Sequence, residues 1–555
     1  MNQKLEIGLW GGENDGRKVA KGRTLGESEE PVGERLAKSA ESTGSIRIVG
    51  YGSAMLARLF LFSALLFFTS LVAAATRPFT VVIYNVENLH DADGVAVYDD
   101  YQPSAYRPAH VATKVANVAH TLKRFRGGAG PDIVLLQEIE IDQTPQSTVP
   151  DVDAWLNQWR GMSAVQMLNQ NPFPKELVGV PAEVWLLKAL EDAGLTGYHM
   201  AVGSDPASPP TADSRRAIKC VTLSKFPIKA VRNHPLVSAR MILETELDVG
   251  GDRLIVLNTH WKSGASNPQM EDIRIQNAEV MRSRVDEILA IDPAADIIIG
   301  GDLNSQYNQR ARYPAMPRTG VDDVLKVGYS ERQLVLGDED LYNLWFELEP
   351  KARGSDTFRG NWGTLMHIIV SRGLYDQSGI QYQDNSFNVA RLPGENSDAA
   401  GAPIRWSGGG TAGAGFSDHL PIYAHFKALE GEDKPGWMPL ENPADTPPSE
   451  TVFSVDYASV DLNQAIRVDT IPPQTNLRDG SWTGKLFKVA GPAVGTGRPS
   501  VRFNNEVYEI YAPQTETRDR LEAQAIKHRA LEFYGELGTY KGNWQFVVRD
   551  ISWVP

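Results

Sequence analysis

The sequence holds a single cysteine, Cys220, in 555 residues. No intrachain disulfide can staple the fold, and cysteine usage leaves the redox compartment undefined. Surplus positive charge is also missing. Lys and Arg number 55 against 69 Asp and Glu, a formal net charge of −14. A chain of that sign does not attract polyanions in bulk, so contact with an anion requires a local device such as a bound cation. Apolar content of 42% and charged content of 22% are those of an ordinary soluble globular protein. At this length two or three folding units are expected.

Long apolar runs are absent apart from one. Residues 55–75 open with Met55 and Arg58, continue through an apolar core and end in Ala73-Ala74-Ala75, which reads as a secretory signal peptide. Residues 1–54 are polar and rich in Gly, Glu, Lys and Arg without a sustained period. They read as disordered, or as an over-extended start upstream of Met55. A secreted or periplasmic protein is expected, with no stable membrane association after cleavage. The alternative is that residues 59–75, slightly short for a span, stay as an uncleaved anchor.

What the sequence does have is one pattern used five times. Asp296-Ile-Ile-Ile-Gly-Gly is an apolar, β-branched run with the signature of a buried strand, and it delivers Asp302 and Asn304. Phe79–Tyr84 delivers Asn85, Asp132–Leu136 delivers Gln137 and Glu138, and Leu254–Leu257 delivers Asn258 and His260. Ser417-Asp418-His419 stands just before the strand Leu420–Phe426. Where one strand ends its neighbour can begin, so these groups are expected on one sheet edge. Taken singly, each is a strand followed by a polar turn.

In this order the five motifs resemble those of the endonuclease/exonuclease/phosphatase superfamily, over residues 78–428. The resemblance implies a four-layer α/β sandwich, two packed mixed sheets flanked by helices. It also implies a metal-dependent phosphodiester hydrolase, most simply an exported endonuclease acting on DNA or RNA. On that reading Glu138 is the best ligand for Mg²⁺ (with Mn²⁺ or Ca²⁺ as alternatives), and Asn85 and Asp418 are inner or outer partners. Asp302 orients or deprotonates the water, and Asn304 holds it or a phosphate oxygen. His260 and His419 flank the phosphate as base, acid or transition-state donor. Asn258 joins the substrate-binding set. Arg215 or Arg216 could reach substrate phosphate, or be a solvated strand-end charge. The adjacent Ser417, Asp418 and His419 cannot form a serine-hydrolase triad.

One position departs from the pattern. Thr357–Leu374 resembles the family's penultimate strand, where an acid that orients the histidine matching His419 usually stands; here the residue is Met366. Two other readings follow: a phosphatase or phosphodiesterase for lipid or small-molecule phosphates, and a secreted binding protein with a degenerate site.

Elsewhere helices are expected over Pro108–Phe125, Ala182–Ala193 and Asn267–Leu289, with residues 140–182 as an inserted loop. Residues 429–452 are proline-rich and acidic, and read as a linker. Residues 453–555 read as three strands, a helix and two strands, and resemble a small oligonucleotide/oligosaccharide-binding barrel. Phe503, Tyr508, Tyr540 and Trp544 are candidates to stack single-strand bases. Twelve acids balance twelve Lys and Arg in that stretch, so it has no electrostatic footprint. The oligomeric state leaves no trace in the sequence.

Overall fold

The computed structural model describes residues 77–144, 149–204, 216–429, 434–494, 498–540 and 542–555. The expected signal peptide, residues 1–54 and Arg215 lie outside the described residues. No helix among the described residues is long and apolar enough to cross a membrane.

Two mixed sheets form the first part of the chain. One runs edge to edge through Ile380–Tyr382, Ile422–Ala428, Arg77–Leu89, Ile133–Glu140, Ile218–Ser224 and His199–Val202. The other runs through Ile228–His234, Arg240–Val249, Asp252–His260, Asp296–Asp302, Met366–Ser371, Leu341–Asn343 and Val327–Gly328. Strand periodicity explains the layers, because successive side chains point to opposite faces. Ile298 packs between the sheets against the layer that holds Val81, Ile83 and Leu135. Ile297 and Ile299 point outward, under Met281, Val285 and Ile288 of the helix Pro268–Ile291. The first sheet's outer face, including Tyr84 and Leu136, is covered by the helices Pro108–Lys123 and Ala182–Asp192. All three isoleucines are fully enclosed, each contributing about 1.5–3 kcal/mol of apolar burial. The result is the four-layer α/β sandwich.

The sheets approach closely at Gly300, where a Cβ would sit 2.5 Å from both Ile83 Cδ1 and Leu135 Cδ1. Gly301 has φ +146°, and a Cβ there would meet the Thr259 carbonyl oxygen at 1.9 Å. The glycine pair is therefore a packing requirement, and it seats the strand end that carries Asp302.

The described residues between 149 and 182 are more ordered than an inserted loop. They contain the helices Val152–Gln158 and Ala164–Leu168, capped by Asp151 and Ser163, and they bury Trp155, Leu156, Met167 and Leu168. Residues of the expected linker bond to the sandwich. Lys434–Trp437 pairs with Asp376–Gln377, Glu331 N donates to Ala444 O (3.1 Å), and Asn308 Nδ2 donates to Ser449 O (2.6 Å).

The C-terminal barrel closes on itself. Leu486–Val494, Ser500–Phe503, Glu506–Tyr511, Asn543–Val547 and Ala530–Tyr540 follow in order around it, and the last pairs back with the first from Leu486↔Glu536 to Pro492↔Ala530. The helix Thr515–His528 separates the third strand from the fourth in sequence. This is the arrangement expected of an oligonucleotide/oligosaccharide-binding barrel. The proposed stacking platform is not assembled, however. Tyr508 is 1% exposed within the barrel core, Phe503 and Trp544 pack against that core, and only Tyr540 of the four is largely exposed.

Candidate active site

Register brings the motif residues to one end of the sandwich. Asn85 lies opposite Gln137 in a parallel pair, His260 opposite Asp302 in another, and Asp302 opposite Met366 in an antiparallel one. Ladder irregularities fall between Asn85 and Leu89 and between Leu136 and Ile139. Glu87, Asn88, Glu138 and Asn304 hold left-handed φ values of 52°, 59°, 65° and 49°. Non-glycine residues in that region are strained, and such strain persists where the surroundings enforce it to aim particular side chains.

The aim is convergent. Asn85 Nδ2 donates to Glu138 Oε1 and to Asp302 Oδ2, each at 3.0 Å, so one amide bridges two acids. Its own oxygen accepts from Glu87 N at 3.0 Å, and its backbone oxygen accepts from Ser417 Oγ at 2.7 Å. Asn85 thus orders the acids, with its carbonyl turned toward the backbone of Glu87. His260 Nε2 is 3.9 Å from Glu138 Oε1 and 3.8 Å from Asp302 Oδ2. His419 Nε2 is 3.6 Å from Asp302 Oδ2 and 3.7 Å from Asp418 Oδ1. Asp302 Oδ1 accepts from Asn304 N at 2.8 Å, and Asn304 Nδ2 donates to Trp261 O at 3.2 Å. Of the sequence candidates, Asn85, Glu138, His260, Asp302, Asn304, Asp418 and His419 therefore share one cluster.

Two other candidates make different contacts. Asn258 is fully buried; its oxygen accepts from Gln137 Nε2 (2.8 Å) and its amide donates to Leu136 O (3.3 Å) and Val221 O (3.0 Å). It ties the two sheets together, and its amide is spent on the interior, away from any substrate. Arg216 Nη2 donates to Leu236 O at 3.2 Å.

The two histidines carry different charge. Burial, then the nearby Arg240 and His419, hold His260 well below the ordinary imidazole range, so it is neutral at pH 7. Burial opposes protonation of His419 too, but Asp418, Asp302, Asp356 and Glu138 outweigh it and push its pKa up to about 9. Glu138 and Asp302 are each raised, chiefly by burial.

Arg240, Arg405, Glu87 and Asp356 complete the surroundings and belong to no candidate set of the sequence motifs. Arg240 lies opposite His260 in the strand register. Arg405 Nε donates to Glu87 Oε1 at 2.5 Å, and its Nη2 stands 3.4 Å from Asp418 Oδ2. Glu87 is pushed up to about 7 by burial and by Asp418. Asp356 comes from the hairpin Asp356–Phe358/Asn361–Gly363 and forms a backbone bridge with His419. Met366 is fully buried, and its Sδ accepts from Asn85 N at 3.3 Å. Asp356 thus adds negative charge near His419, although the ring's Nδ1 is buried and has no hydrogen-bond partner.

The donor set suits a hard divalent cation. Glu138 has one oxygen bound by Asn85, a side chain still 17% exposed, and Asp418 as a close acidic neighbour. Burial and the Asp418 charge both disfavour an ionised Glu138, and a bound cation would offset both.

Residues 216–428 match the model of the endonuclease/exonuclease/phosphatase family. No curated protein matches the chain. Among solved structures, truncated TDP2 of Caenorhabditis elegans is 16% identical, with 63% of this chain and 97% of that one covered and a TM-score of 0.34. A family protein of Bacteroides thetaiotaomicron is 13% identical over 64% and 98% of the two chains, TM-score 0.33. The human Nocturnin catalytic domain with bound sulfate is 14% identical over 63% and 93%, TM-score 0.32. The matched segment, residues 216–428, contains His260, Asp302, Asn304, Asp418 and His419, and over that segment the chain is similar to the endonuclease/exonuclease/phosphatase family.

Proposed function

We propose that the chain hydrolyses phosphodiesters with the help of a hard divalent cation, Mg²⁺ first, and that it cleaves DNA or RNA internally. The observation that carries this reading is one carboxylate, Asp302, lying within 4 Å of two imidazoles, one held neutral and one protonated. Glu138 and Asp418 would hold the cation, which supplies charge neutralisation at a phosphoryl oxygen. Asp302, whose burial raises its proton affinity, takes the proton of the attacking water. Asn304, anchored on Trp261 O, holds that water or a phosphate oxygen. His419, protonated, donates to the phosphate as charge develops there, and His260 donates a neutral hydrogen bond. Arg240 and Arg405 bring positive charge to the rim.

A nucleic-acid substrate is favoured by what adjoins this cluster. A cavity of about 1020 Å³ is lined by Glu87, Arg405, Tyr98, Tyr101 and Tyr106. That offers aromatic faces and a guanidinium beside the phosphate site, in more room than a single small phosphate needs. Incubation with plasmid, single strands and RNA, with Mg²⁺ or chelator, tests the proposal. Cleavage that requires metal and is lost in Glu138→Gln and His419→Ala is expected; no cleavage of any nucleic acid refutes it. The second reading, a phosphodiesterase for lipid or small-molecule phosphates, is favoured by the net charge of −14. Turnover of a lipid phosphodiester panel without nucleic-acid cleavage would select it. Action outside the cytoplasm rests on residues 55–75 alone, and cell fractionation with sequencing of the mature N-terminus tests it.

A further inference from the structure

A second group of acids lies outside the candidate active site. Glu331 opens the helix Glu331–Leu336, Glu347 ends the 3₁₀ turn Leu344–Glu347, and Asp384 follows the strand Ile380–Tyr382. One carboxylate oxygen from each lies within 4.8 Å of the others. A cation bound about 2.4 Å from each oxygen requires separations no larger than roughly that. Beyond burial, the charged neighbours that act most on Glu331 and Glu347 are acids, Asp384 and one another, while Arg353 is held on Phe346 O and Leu348 O to either side of Glu347.

The surroundings hold these acids in place and leave atoms pointing at nothing. Glu331, fully buried, accepts from Tyr375 Oη (3.0 Å) and Ala444 N (2.8 Å). Glu347 Oε2 accepts from Tyr382 Oη (2.6 Å), and Asp384 Oδ2 accepts from Glu441 N (2.6 Å). Glu331 and Asp384 come within hydrogen-bond reach of each other, and Glu347 also meets the Phe387 backbone, yet the oxygens Glu347 Oε1 and Asp384 Oδ1 are enclosed with no donor of their own. An independent feature points the same way. Tyr342 is 0% exposed, its hydroxyl has no partner, and after burial its strongest electrostatic neighbours are Glu347 and Glu331. A buried hydroxyl and two buried carboxylate oxygens left unpaired in one place are costly unless something occupies the space between them.

We infer that Glu331, Glu347 and Asp384 bind a hard, oxygen-liganded divalent cation, Ca²⁺ or Mg²⁺, which ties the segment around Ala444 to the sandwich. An all-oxygen, mostly carboxylate set selects this class over zinc or copper. The site holds no candidate catalytic residue, so its role is to hold the fold together.

The test uses the full chain, stripped with chelator, in a Glu138→Ala background that removes the proposed catalytic cation. Thermal unfolding at pH 8 is followed while CaCl₂ or MgCl₂ is added. A saturable rise in Tm is expected, with the more effective ion identifying the occupant. The combined substitution Glu347→Gln and Asp384→Asn should abolish the rise. Should that variant fail to fold, Tb³⁺ luminescence sensitised by the surrounding tyrosines reads the site in the unaltered acids, displaced by Ca²⁺ or Mg²⁺. No rise and no displaceable Tb³⁺ emission would overturn the inference. So would a double variant that keeps the full response, or one that is stabilised in chelator while the parent ignores both ions, since protons would then be doing the cation's work.

Discussion

Replacing Asp356 by Asn tests the electrostatics of the candidate active site without touching a group placed on substrate or metal. Asp356 is buried, accepts from Leu365 N at 3.1 Å, and is pushed up to about 6 by burial. Space for its carboxylate exists because residue 363 is glycine: a Cβ there would lie 2.1 Å from Asp356 Oδ2. His419 stands near pH 9 against an ordinary 6.5, which corresponds to about 3 kcal/mol in favour of the charged ring. Four carboxylates share that effect and also offset the burial penalty, so Asp356 supplies on the order of 1 kcal/mol. Asn keeps the shape and the bond from Leu365 but removes the charge. The pKa of His419 should therefore fall by about 1 unit, to roughly 8.

The sign fixes the assay. A histidine raised in the folded state is protonated below its folded pKa, so a reaction that uses imidazolium is lost as pH rises through about 9. In Asp356→Asn the alkaline limb of kcat/KM, measured with a chromogenic phosphodiester and Mg²⁺, should move down by about one pH unit. The same charge contributes stability that is fully present below pH 6.5 and disappears as pH rises through 9. NMR titration of labelled histidine reads the ring directly, and His260, held neutral, does not overlap it. An alkaline limb and a ring titration that both stay in place would refute the reasoning.

Glu138→Gln should lower kcat/KM by at least about 100-fold with Mg²⁺, as expected when a metal-holding carboxylate is lost. The same variant should raise Tm slightly in chelator at pH 8, because an acid whose folded pKa is raised costs stability once ionised. Asn258→Leu should destabilise by about 2–4 kcal/mol in urea unfolding, since Gln137 and two carbonyls lose buried partners. The folded fraction of that variant should keep its kcat. Met366→Asp should reduce activity rather than raise it, because the new acid would stand opposite Asp302 in register and take the place of the sulfur that accepts from Asn85 N. A gain in kcat would mean that Asp356 does not serve His419.

The contrast between Met366 and Asp356 marks where the sequence stops being readable. Motifs that hand a polar residue over from an apolar strand are local, so Asn85, Glu138, His260 and Asp302 could be named before any coordinates existed. The two sheets followed from the same runs, because Ile297, Ile298 and Ile299 alternate faces whatever their neighbours are. Residues 140–182 resisted because their helices are five and seven residues long, too short to show a period, and are marked only by their caps. Asp356 resisted for a different reason. Its relation to His419 passes through a backbone bridge between residues 63 positions apart, and its room is made by Gly363 on the partner strand. Neither fact has a local signature. A charge needed beside a histidine is specified by its field, and a field can be supplied from any element that reaches the spot. An acid missing from one strand is therefore weak evidence of a dead site when a neighbouring hairpin can carry it.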